Sequence, residues 1–91
     1  MINLNKHLII SGQVQGVGFR YSAMQKAMEF QLTGWVRNKS NGTVELEVEG
    51  EEKQINSYID ELKNGFNRFI QVDHMEITSQ QEKGYDKFTI K

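Results

Sequence analysis

The sequence predicts an α+β fold in which an antiparallel sheet carries two helices on one face, and three observations predict it. Strand-like and helix-like patterns follow one another in the order β-α-β-β-α-β, with a short extra strand at the end. Asn41-Gly42 separates the two central strand patterns, as the turn of a hairpin does. The 91 residues show no break in composition, so we expect a single domain over residues 1–91. This order is the split βαβ, or ferredoxin-like, pattern.

The first two elements are a strand and a helix. Apolar residues alternate over residues 7–14, and their β-branched side chains are typical of a mostly buried strand. Phe19, Ala23 and Ala27 then recur at helical spacing, which predicts a helix over about residues 20–31.

The middle of the chain predicts a hairpin. A second strand begins at Trp35 and Val36 and reaches a turn at residues 39–42. Beyond the turn, residues 43–49 alternate between carboxylates and apolar side chains, which predicts a strand with one face in the core.

A helix and two strands complete the pattern. Residues 51–64 carry a stripe of apolar side chains at helical spacing, which is the clearest helical pattern in the chain. Residues 70–77 predict a strand whose alternation changes phase within residues 72–75, as at a β-bulge. Phe88 and Ile90 indicate a short last strand.

Composition excludes several classes of function. Eleven Lys and Arg balance twelve Asp and Glu, so the net charge of −1 creates no general attraction to nucleic acid or to an anionic membrane. The absence of cysteine excludes disulfides, thiolate metal sites and a cysteine nucleophile. Residues 1–6 lack the features of a signal peptide, and no apolar segment approaches membrane-spanning length. We therefore expect a cytoplasmic protein that binds neither nucleic acid nor membranes.

A glycine-rich loop connects the first strand directly to the first helix. Gly16 and Gly18 can adopt positive φ angles, so that successive amides point into one concavity suited to an oxyanion. The helix that follows adds its positive end, and Arg20 can donate two parallel hydrogen bonds to a phosphate. Alternatively, the glycines make only a tight turn and Arg20 is solvated. The loop lacks the glycine spacing of dinucleotide sites and a Lys-Ser or Lys-Thr pair, which disfavours nucleotide hydrolysis.

Asn38 ends the second strand. In a split βαβ unit the first two strands are parallel, with another strand between them, so Asn38 and the loop should share one edge of the sheet. Its carboxamide can accept a hydrogen bond from a water while it donates one to a phosphate oxygen. Alternatively, Asn38 belongs only to the turn of the hairpin.

Two segments closely resemble the signatures of the acylphosphatase family: Gly-Gln-Val-Gln-Gly-Val-Gly-Phe-Arg at residues 12–20, and Gly-Trp-Val-Arg-Asn at residues 34–38 followed by Asn-Gly-Thr-Val-Glu at residues 41–45. The resemblance covers nearly the whole chain. It is strongest up to Gly50 and weaker beyond Gly65, where the family usually has prolines and this chain has none.

The resemblance implies an enzyme that hydrolyses small acyl phosphates with water as the nucleophile and with no metal or cofactor. Arg20 is expected to bind the phosphate, and Asn38 is expected to orient the attacking water. The substrate-binding residues it implies are those of the loop: Gln15, Gly16, Val17, Gly18, Phe19 and Arg20.

Other classes of function remain as alternatives. The same architecture serves RNA-recognition and small-molecule regulatory domains, and it also occurs within larger assemblies. We expect Glu45, Glu47 and Glu49 to form a solvated face that would repel an RNA backbone. We assign no role to His7 or His74. A free-standing, monomeric enzyme is the favoured interpretation.

Overall fold

The elements of the structure, a computed structural model that describes residues 2–91, follow one another in the predicted order. The first strand begins four residues earlier than predicted, and the first helix begins one residue earlier and ends two residues earlier. The elements are β1 (Asn3–Gln13), α1 (Phe19–Glu29), β2 (Thr33–Asn38), β3 (Val44–Glu51), α2 (Glu52–Asn64), β4 (Gln71–Gln80) and β5 (Phe88–Ile90).

The five strands form one sheet in the order β4-β1-β3-β2-β5. Strand β3 is antiparallel to both β1 and β2, so β1 and β2 are parallel and their ends lie at the same edge, as predicted. Strand β5 pairs with β2 in parallel, so the sheet is mixed and not wholly antiparallel as predicted. Residues 81–87 produce this parallel pair, because they cross the sheet between β4 and β5, which lie at opposite edges of it. The ferredoxin-like class is confirmed.

The predicted irregularity in β4 is a β-bulge. Ser11 pairs with His74, whereas the next residue of β1, Gly12, pairs with Val72, so Asp73 has no partner on β1. The extra residue explains the change of phase in the sequence pattern.

The core lies between the sheet and the two helices. The hydroxyl of Tyr58 in α2 donates a 2.8 Å hydrogen bond to the carbonyl of Ala23 in α1, and this bond fixes one helix to the other. Burial raises the pKa of Tyr58 above its ordinary value. The buried apolar side chains include Phe19, Ala23 and Ala27 of α1, Ile55, Tyr58, Ile59 and Leu62 of α2, and Leu8, Ile10, Val36, Val44, Leu46 and Val48 of the sheet.

The opposite face of the sheet carries the acidic residues of β3. The prediction that they form a solvated face is wrong, because Glu47 and Glu49 are buried beneath residues 81–87. Glu49 accepts hydrogen bonds from the amides of residues 83–85 at 2.6, 2.8 and 3.1 Å, and from Asn5 Nδ2 at 2.9 Å. Alternation along β3 indicates which face these side chains share, but it does not show which segment covers that face.

Glu47 connects three side chains of the same layer. Its Oε1 lies 2.6 Å from Lys83 Nζ, and its Oε2 accepts a 2.7 Å hydrogen bond from the hydroxyl of Tyr85. That hydroxyl accepts a 3.1 Å hydrogen bond from Trp35 Nε1. Burial alone would raise the pKa of Glu47, but the hydrogen bonds from Lys83 and Tyr85 outweigh it and hold the pKa below its ordinary value.

Neither helix in residues 2–91 has both the length and the apolar character that crossing a membrane requires.

Candidate active site

A small pocket lies where β1 ends, α1 begins and β2 ends. Its volume is about 220 Å³, which is below the usual range for drug-sized ligands. The lining residues are Val14, Gly16, Gly18, Phe19, Arg20, Tyr21, Asn38 and Ile90. Five of these eight are residues predicted for the site, namely Gly16, Gly18, Phe19, Arg20 and Asn38.

Gly16 and Gly18 give the loop its shape. Their φ angles are 74° and 81°, in the left-handed region. A Cβ at either position would meet no atom of residues 2–91 within 4 Å, so the need for glycine comes from the backbone conformation and not from crowding. Within residues 2–91, no amide of residues 15–18 donates a hydrogen bond to a main-chain carbonyl. These amides remain available as donors for a bound anion.

The start of α1 adds positive potential to the same pocket. Gly18 is the N-cap, no side chain of residues 2–91 caps the helix, and the first turn carries no acidic residue. The first-turn amides and the helix dipole therefore favour a negative charge at this end. Arg20 lies in this turn with an exposed side chain, and no carboxylate of the described residues lies within salt-bridge distance of its guanidinium.

Asn38 reaches the pocket from β2. It shares a face of the strand with the buried Val36, so its side chain points toward the helix layer. Its Oδ1 is buried and has no hydrogen-bond partner in the described chain. A buried acceptor without a partner is costly, and such atoms occur at sites where a ligand or water completes the bond. The adjacent Arg37 points to the other face, where its Nε donates a 2.6 Å hydrogen bond to Glu45 Oε1.

The side chain of Gln15 braces the loop, which the sequence did not indicate. Its Nε2 donates 2.8 Å hydrogen bonds to the carbonyls of Lys39 and Thr43 in the turn that follows Asn38. Gln15 and Val17 do not line the pocket, and Val17 packs against the core. The side chains of Gln15 and Val17 therefore take no part in the pocket. The predicted contribution of these two residues to the phosphate cradle rests on their main-chain amides.

Ile90 is a lining residue that the sequence placed only in a strand. Strand β5 pairs with β2, and Ile90 lies opposite Val36, two residues before Asn38. Its position at the end of an edge strand could be found only once the partner of that strand was known. The same pocket also includes Tyr21, from the first turn of α1.

Three or more His, Asp or Glu side chains arranged to hold a metal ion are not found within residues 2–91.

Comparisons with known proteins agree with this fold. The Acylphosphatase family model matches residues 6–90. An acylphosphatase of Methanospirillum hungatei is 42% identical over 84 residues, which are 92% of each chain. The crystal structure of acylphosphatase from Bacillus subtilis superposes with a TM-score of 0.92 at 38% identity, over 96% of this chain and 97% of that one. A structure of full-length HypF in the phosphate- and nucleotide-bound form has a TM-score of 0.91 at 35% identity, over 98% of this chain and 12% of that one.

Together the fold and these matches define a small hydrolase with the ferredoxin-like fold. The chain belongs to the acylphosphatase family. The family predicted from the two signature segments and the prediction of an enzyme are therefore confirmed.

Proposed function

We propose that this protein hydrolyses acyl phosphates, the mixed anhydrides of a carboxylic acid and phosphate, to carboxylate and inorganic phosphate. The observation that carries the proposal is that Arg20, the glycine loop and Asn38 line one pocket, in which the Asn38 Oδ1 is buried and has no hydrogen-bond partner among residues 2–91. The relatives named acylphosphatase support this class of substrate.

In the proposed complex, the loop and Arg20 bind the phosphoryl group. The amides of residues 15–19 donate to its non-bridging oxygens, and the guanidinium of Arg20 donates two parallel hydrogen bonds to them. Phosphoryl transfer depends mainly on alignment and on stabilising the charge of these oxygens, which fixed donors supply without rearrangement.

Asn38 positions the nucleophile. Its Oδ1 accepts a hydrogen bond from a water, and its Nδ2 donates to a phosphoryl oxygen, so the water lies next to the phosphorus. The oxygen of this water forms the new bond to phosphorus, the bond from phosphorus to the carboxyl oxygen breaks, and its electron pair remains on the carboxylate. The proton of the water leaves with the phosphate product or the solvent. Because a carboxylate is a good leaving group, no general acid is needed.

We expect the protein to act as a cytoplasmic monomer on its small-molecule substrate, without a metal or cofactor.

The test is the release of phosphate from benzoyl phosphate in excess EDTA. Loss of the Arg20 guanidinium removes the main charge opposite the phosphoryl oxygens, so Arg20→Ala should lower kcat/KM by roughly 100-fold or more. Asn38→Ala should lower kcat by about 100-fold and change KM little, because Asn38 acts mainly on the attacking water.

Arg37→Ala is the matched control. It removes an arginine next to Asn38 whose side chain lies on the other face of the sheet, so activity should stay near that of the wild type. A wild-type protein that releases no phosphate above the buffer rate would refute the proposed hydrolysis. If the inactive protein still bound benzoyl phosphate, a binding module would become the better interpretation.

A further inference from the structure

Two exposed apolar side chains lie at the rim of the pocket. Tyr21 is 61% exposed and Ile90 is 40% exposed, and both line it. Four other large apolar side chains in residues 2–91 are similarly exposed, and none of the four lines this pocket. The rim therefore combines an aromatic and an aliphatic group beside a pocket whose interior is otherwise suited to an anion.

The two side chains approach from different elements. Tyr21 lies in the first turn of α1, next to Arg20 in sequence. Ile90 lies in β5, opposite Val36, and so shares its face of the sheet with Asn38. Both α1 and β5 pack against β2 and against each other, which fixes the positions of the two rim residues.

We infer that Tyr21 and Ile90 bind the acyl group of the substrate and give the enzyme a preference for apolar, especially aromatic, acyl phosphates. This inference rests on the proposed hydrolysis. In an in-line displacement the carboxylate leaves from the side opposite the attacking water. With the phosphoryl group held by the loop and Arg20, the acyl group must extend from the pocket toward its rim. An apolar acyl group at the rim packs against Tyr21 and Ile90, and this contact removes apolar surface of all three groups from water.

The acyl group lies away from the reacting phosphorus, so its contacts should act in the ground state and the transition state alike. Such uniform binding lowers KM and leaves kcat little changed. A methyl group offers far less apolar surface to the two rim residues than a phenyl ring does. The contribution of the rim should therefore appear as discrimination between acyl phosphates of different size.

The experiment compares benzoyl phosphate with acetyl phosphate in the wild type, in Tyr21→Ala and in Ile90→Ala. In each variant the ratio of kcat/KM for benzoyl phosphate to that for acetyl phosphate should fall by about tenfold, the low end of the range for a lost hydrophobic contact. The change should lie in KM for benzoyl phosphate. Tyr21→Phe keeps the ring, so it should lower the ratio far less than Tyr21→Ala.

Two control variants match the exposure of the rim residues. Met28→Ala removes a 59% exposed side chain from the same helix as Tyr21, and Ile77→Ala removes a 39% exposed side chain from β4. Neither should change the ratio.

An unchanged ratio in both rim variants would overturn the inference, and this includes the case in which kcat/KM falls equally for the two substrates. Activity of the wild type in either case would still support the proposed hydrolysis. A wild-type protein that hydrolyses neither substrate would refute the proposed function, and with it the acyl-binding role of the rim.

Discussion

At the scale of single residues, the pocket contains polar groups that have no hydrogen-bond partner in the part of the chain that the structure describes. The Oδ1 of Asn38 is buried and unpaired, and the loop amides donate no main-chain hydrogen bond within residues 2–91. Leaving a buried polar atom unpaired costs about 1–3 kcal/mol, so the site is less stable than a fully paired turn would be. Gln15 has the opposite property, because both of its side-chain hydrogen bonds are made to the neighbouring turn.

Gln15→Ala should separate the brace from the amide of the same residue. The carbonyls of Lys39 and Thr43 keep other donors, the amides of Gly42 and Lys39, so the free energy of unfolding should fall by only about 1 kcal/mol. The value of kcat/KM should nevertheless fall by about tenfold, because the loop is no longer fixed beside Asn38. Urea unfolding and kinetics with benzoyl phosphate measure the two effects.

Gln13→Ala is the control for this prediction. Gln13 is an exposed residue of the same type at the end of β1, and its removal should affect neither stability nor activity by much. Wild-type activity in Gln15→Ala would show that the brace does not position the loop.

At the scale of elements, the short strand β5 depends on residues 81–87 for its position. Only three residues of β5 pair with β2, yet one of them, Ile90, lies at the rim of the pocket. The segment that precedes it is held by Glu49 through three consecutive amides and by Glu47 through Lys83 and Tyr85. Residues 81–87, which cover the face of the sheet away from the helices, therefore support part of the site on the helix face.

Glu49→Gln should destabilise the protein by about 2 kcal/mol at pH 7, the cost of losing charge-assisted hydrogen bonds. One oxygen becomes an amide that cannot accept from the donors around it, namely Asn5 Nδ2 and the amides of residues 83–85. Glu76→Gln, at an exposed position of β4, is the control and should change the free energy of unfolding by less than about 0.5 kcal/mol.

The pH dependence of stability tests the same carboxylate. Burial alone would raise the pKa of Glu49, but the hydrogen bonds from Asn5 and from the amides of residues 83–85 outweigh it and lower the pKa below 4.5. The stability that the ionised carboxylate contributes is therefore complete above about pH 4.5, its pKa when unfolded, and is lost as the pH falls through the lower folded pKa. Urea unfolding from pH 7 to pH 3 should give a shallower loss for Glu49→Gln than for the wild type. Parallel curves would contradict this role of Glu49.

At the scale of the whole molecule, the sequence patterns predicted the features that depend on residues close together in the chain. The apolar stripe of α2, the hairpin turn, the bulge in β4 and the glycine loop all follow from spacing within about ten residues, and the structure agrees with each. The cover over Glu47 and Glu49 and the brace of Gln15 join residues 24 to 38 positions apart. Ile90 enters the pocket only through its pairing with β2. Periodicity carries no information on such distant partners, so these features required the structure.

Binding of inorganic phosphate, the proposed product, in the candidate active-site pocket should stabilise the whole protein. The net charge is −1, so the molecule has no general attraction for phosphate, and any stabilisation must come from a local site. At a concentration ten times the Kd, a ligand that binds only the folded state adds about 1.4 kcal/mol to the free energy of unfolding. For a domain of this size that corresponds to a rise in Tm of about 6–10 °C.

Thermal unfolding in phosphate, compared with sodium chloride at the same ionic strength, measures this rise. Arg20→Ala should lose most of it, because the guanidinium supplies the main positive charge of the pocket. Arg37→Ala should keep it, because that side chain lies on the other face of the sheet, bonded to Glu45. An equal rise in Tm for both variants would contradict binding in the pocket. A different site or a general salt effect would then account for the stabilisation.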